Sequence, residues 1–77
     1  MLSAADLTQL ILAAFPDAAV EIQDRTGMQD HYQVLVRSAH FQSVGLMDRH
    51  RLVYAAVDPA LKDGRLHAIE IKTELPN

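Results

Sequence analysis

Apolar residues along this chain repeat at two different periods. Leu7, Leu10, Ile11 and Ala14 recur at helical spacing, and Ser3-Ala4-Ala5-Asp6 stands before them. A serine at that point accepts a hydrogen bond from a free amide of the first turn, while Asp6 meets the positive end of the helix dipole. The spacing predicts a helix of about three turns, closed at Phe15 because Pro16 pushes the residue before it out of helical backbone. Ala19 to Asp24 then alternates, with Val20 and Ile22 on one face; Tyr32 to Arg37 alternates with Tyr32, Val34 and Val36 inward. The two runs are joined by Arg25-Thr26-Gly27-Met28-Gln29-Asp30-His31, a polar loop with one glycine, which predicts an antiparallel hairpin.

Helical spacing returns after Phe41-Gln42-Ser43-Val44-Gly45, an aromatic followed by a polar turn. Leu46, His50, Val53, Tyr54 and Val57 share one face, and Asp48, Arg51 and Ala55 another. This helix is expected to run from about Leu46 to Val57, with Asp58-Pro59 ending it and Pro59 opening a short turn. Asp63-Gly64 is a stop signal. Leu66 to Thr73 alternates again, with His67, Ile69, Ile71 and Thr73 on one face and Glu70 and Lys72 on the other. The predicted order is αββαβ. A strand–helix–strand crossover returns the last strand parallel to the second, so the fold class is α+β: a three-stranded mixed sheet with both helices packed on one face.

Composition narrows the function more than the fold. A chain of 77 residues makes one domain, residues 1–77, and its 49% apolar and 22% charged content is that of an ordinary soluble globule. Net charge is −3, and of the seven Lys and Arg only Arg49 and Arg51 sit close together, which argues against an electrostatic nucleic-acid binder. With no cysteine, the chain offers no disulfide, no thiol nucleophile and no thiolate ligand. No apolar run is long enough to span a bilayer, so no membrane partner is expected and the cytoplasm is the expected location.

Four histidines hold the remaining chemical potential near neutral pH, and they follow no close ligand spacing. The glycines at 27, 45 and 64 lie too far apart for a phosphate loop, and Ser3, Ser38 and Ser43 lack the setting of an activated nucleophile. No enzyme is expected. From the residues alone, His31 reads as an exposed loop histidine and His67 as a sheet-end histidine bonded to backbone. His50 reads as a plug at the core rim held by a hydrogen bond, and His40 as a solvated turn residue.

The pattern F-x-x-x-x-x-x-x-R-H-R-L-V-Y, from Phe41 to Tyr54, followed at a distance by His67-Ala68-Ile69, resembles the BolA family, and the likeness covers nearly the whole chain. The resemblance implies the same αββαβ arrangement, similar to a class II KH domain. It also implies a non-enzymatic adaptor that binds a monothiol glutaredoxin and shares a [2Fe–2S] cluster with it, in iron signalling or cluster trafficking. In such proteins the histidine of the final strand ligates the cluster, and His67 matches it. A second ligand comes from the loop between the first two strands, where His31 is the available imidazole and Met28, Gln29 or Asp30 hold the usual ligand position. The partner's cysteine and a bound glutathione would supply the thiolates, leaving imidazole on one iron. Coordination needs an unprotonated imidazole nitrogen. Arg49, His50 and Arg51 match the family's helix motif and, with Lys72, form a candidate surface for a partner or nucleic acid. The alternative implied function is a DNA-binding transcriptional regulator of stress response or cell morphology. Alone, the chain is expected to be a monomer or a weak homodimer.

Overall fold

The computed structural model describes residues 2–24, 31–66 and 68–76. Helix α1 spans Ala4–Ala14, with the Ser3 hydroxyl accepting from the Asp6 amide at 3.1 Å and the Phe15 amide donating back to the Ile11 carbonyl. Leu7 and Ile11 are fully buried and Leu10 packs beside them, but Ala14 faces solvent. The helix lays down a narrow stripe, which Leu2 extends at its start.

Strand β1 (Ala19–Asp24) pairs antiparallel with β2 (His31–Arg37), placing Val20 opposite Val36 and Ile22 opposite Val34. Strand β3 (Ala68–Glu74) lies parallel to β2 on its other side, so β2 is the central strand. Tyr32, Val34, Val36 and Ile71 are buried beneath the helices, while Glu70, Lys72 and Glu21 point into solvent on the open face. This is the mixed αββαβ sheet that the alternating runs predict.

A short 3-10 turn, Ala39–Phe41, drops Phe41 into the core with no exposed surface. The chain then makes a left-handed step at Ser43 (φ 66°) before helix α2 opens at Gly45. Gly45 itself has φ −66° and caps the helix without a side chain, so the unusual backbone falls on the serine and not on the glycine.

Helix α2 runs from Leu46 to Lys62, straight through Pro59, where the sequence predicts its end. Proline removes one amide from the helical ladder. Continuing nevertheless buries Ala60 completely, in line with Val53 and Val57, and partly buries Leu61. Packing of that stripe outweighs one lost hydrogen bond at an exposed proline. The helix stops at Asp63-Gly64, where Gly64 adopts φ +82° and the Leu66 amide reaches the Ala60 carbonyl at 3.1 Å. Two residues expected on the buried face are exposed: Leu46 at 59% and Tyr54 at 43%. Tyr54 stands one residue, about 100°, around the helix from Val53, beyond the edge of the stripe.

Candidate functional site

Strands β2 and β3 begin side by side. His31 is the first residue of β2, not the last of the loop as the sequence suggests, and it pairs in register with Ala68. Because Tyr32 turns inward, with its hydroxyl donating to the Leu2 carbonyl at 2.6 Å, alternation forces His31 outward, where its side chain is exposed. A shallow depression of about 290 Å³ opens here, lined by His31, Tyr32, Ala68, Ile69 and Glu70. Ala68 is bonded to His67, which lies outside the described residues, as do Met28, Gln29 and Asp30 of the preceding loop. Among the described residues no three His, Asp or Glu side chains converge as a complete metal site. Among the described residues, the imidazole that this end of the sheet offers is that of His31.

The other candidate residues do not form one surface. Arg49 is half-buried, its guanidinium Nε donating to the Val44 carbonyl at 2.8 Å, so it braces the turn before α2. Arg51 is exposed and pairs with Asp48 one turn earlier at 3.3 Å. His50 lies at the core rim as expected, although its ring makes no hydrogen bond among the described residues. Lys72 belongs to the opposite, open face of the sheet, beside Glu21, Gln33 and Leu35.

One polar cluster was not visible in the sequence. The Asp17 carboxylate accepts from the Ala39 amide (2.9 Å), from the buried Ser38 hydroxyl (2.9 Å) and from His40 Nδ1 (2.7 Å). The Ala39 amide, then the Ser38 hydroxyl and His40, hold the Asp17 carboxyl below its usual range. His40 is exposed, as the sequence implies, but it is also anchored by Asp17, and its ring meets Phe15 edge-on at a centroid distance of 5.8 Å. A serine, a histidine and an aspartate in contact invite comparison with a hydrolytic triad, but Ser38 and Asp17 address the same nitrogen, Nδ1. A triad requires the serine on the other nitrogen. The cluster is a clamp that ties the turn before β1 to the turn after β2. Residues 17 and 38–40 lie more than 20 positions apart, so only the register Ala19↔Arg37 reveals their proximity.

A mixed three-stranded sheet under one helical layer, in αββαβ order, defines an α+β domain. The model of the BolA-like protein family matches residues 11–77, and the chain belongs to that family. It is 36% identical over 72 residues to the uncharacterized protein RP812 of Rickettsia prowazekii, covering 94% of this chain and 92% of that one. It is 38% identical over 50 residues to BolA-like protein 1 of Bos taurus, covering 65% of this chain and 36% of the bovine protein. The structure of BolA1 from Arabidopsis thaliana superposes with a TM-score of 0.84 at 27% identity, over 95% of this chain and 90% of that one. Among the described residues, no helix is long and apolar enough to cross a membrane.

Proposed function

We propose that this chain is a non-catalytic adaptor that docks a monothiol glutaredoxin and contributes imidazole to a [2Fe–2S] cluster the two proteins share. The carrying observation is His31, exposed at the start of β2 and directly across from Ala68, the residue bonded to His67, in a chain without a single cysteine. His67 is the proposed principal ligand and His31 the proposed second. Thiolates from the partner's cysteine and glutathione would complete the set, and the cluster would supply one-electron redox chemistry with a potential raised by imidazole ligation. In this reading the chain's part is to present imidazole where β2 and β3 begin. A DNA-binding regulator draws less support: Arg49 is turned into its own turn, Arg51 is paired with Asp48, and Lys72 lies across the sheet from both.

Co-expression with a monothiol glutaredoxin, followed by an absorption spectrum and an iron count, tests the reading. The expected result is a coloured complex that loses its spectrum in His67→Ala with the fold intact, and that changes it in His31→Ala. A spectrum unchanged in His67→Ala would overturn the assignment.

A further inference from the structure

The last strand has a free edge, and that edge has a direction. The Glu74 carbonyl accepts from the Ser38 amide at 3.2 Å, so Glu74 turns its backbone toward β2. Along a strand successive residues turn their backbone groups to opposite sides. Ala68, Glu70 and Lys72 therefore face β2 with Glu74, while Ile69, Ile71 and Thr73 present amides and carbonyls outward. Among the described residues, the side chain that reaches these groups is Tyr54, whose hydroxyl donates to the Ile69 carbonyl through a long 3.3 Å contact.

From this edge we infer that two copies of the chain associate through β3, antiparallel about a two-fold axis at Ile71, making one continuous six-stranded sheet. Three self-pairings of β3 keep its outward groups facing each other and overlap over most of the strand, Ala68–Glu74. A pairing centred on Glu70 puts that carboxylate against its own copy, and one centred on Lys72 does the same for the ammonium and sets Glu70 against Glu74. Only the pairing centred on Ile71 sets Glu70 opposite Lys72, and it does so twice. It also matches Ile69 with Thr73 on each side of the axis as hydrogen-bonded pairs.

Both charged side chains are exposed on the open face, and among the described residues neither has an ion-pair partner within its own chain. The other edge offers no such complement: β1 carries Glu21 and Asp24 and no basic residue, so no self-pairing there makes an ion pair. An exposed edge of this kind is a ready template for a further strand. Tyr54, 43% exposed and resting against Ile69, supplies apolar surface beside the axis. The association does not involve His31, so it is independent of the cluster reading.

Sedimentation of the full chain over a rising concentration series tests this directly. Wild type is expected to show a concentration-dependent monomer–dimer equilibrium. Glu70→Lys and Lys72→Glu are each expected to be monomeric, since each places like charges in register, with circular dichroism confirming an unchanged fold. Mixed in equal amounts, the two variants restore the complementary pairs and should form a heterodimer at least as tight as the wild-type dimer. The double variant Glu70→Lys/Lys72→Glu should dimerise by itself. A strictly monomeric wild type, a dimer indifferent to either single charge reversal, or single variants that fail to recombine would each overturn the proposal.

Discussion

His40 Nδ1 lies 2.7 Å from an oxygen of Asp17, a residue 23 positions earlier, and the two close the end of the sheet where β1 starts and β2 finishes. A carboxylate can only accept, so the ring carries its proton on Nδ1 and leaves Nε2 as its free nitrogen. The same carboxylate receives the Ala39 amide and the Ser38 hydroxyl, which makes Asp17 the acceptor for three separate donors.

This clamp predicts an acid-sensitive contribution to stability. The folded Asp17 titrates below its ordinary value of 3.8, so the stabilisation is present above that value and is lost as pH falls through the lower folded one. Asp17→Asn should therefore be less stable than wild type at neutral pH, with the gap closing in strong acid. Urea denaturation over a pH series measures it. A gap of unchanged size from neutral to acid pH would show that the contacts act without the charge.

Two glycines should respond in opposite ways. A Cβ at Gly45 meets nothing within 4 Å, and its backbone is ordinary, so Gly45→Ser adds a capping hydroxyl to α2 and should stabilise by about 0.5 kcal/mol. Gly64 also has room, but its φ of +82° strains any other residue, and Gly64→Ala should cost about 1–2 kcal/mol. Thermal denaturation of the pair decides whether conformation or space governs each site.

The two arginines of the helix motif should separate as well. Arg49→Ala removes a charged donor from the Val44 carbonyl and should destabilise by about 1–2 kcal/mol. Arg51→Ala breaks only an exposed pair with Asp48 and should fall within about 0.5 kcal/mol of wild type. Equal losses in chemical denaturation would mean that the turn does not depend on Arg49.

The strands were legible because alternation is a local signal: Tyr32, Val34, Val36 and Ile71 are buried where the pattern puts them. The first helix was legible through Ser3, whose capping bond forms as the spacing implies. Pro59 misled because a local rule about backbone competes with the burial of Ala60, which depends on what lies opposite the helix. Tyr54 misled because a helical stripe has a width that spacing alone does not set. The exposure of His40 in its turn was legible, but its bond to Asp17 was not, since that partner is brought near only by strand pairing. Of the candidate ligands, His31 is described and outward, whereas the resemblance alone speaks for His67, which lies outside the described residues.

Parallel pairing of β2 and β3 gives the domain two unlike poles. The strands start together at His31 and Ala68, and they finish together beside the Asp17 clamp. Seven residues of extended chain put these poles roughly 20 Å apart. Substitutions separated by more than about 10 Å combine nearly additively, so a change at the His31 pole is expected to leave the stability supplied by the clamp at the other pole nearly untouched.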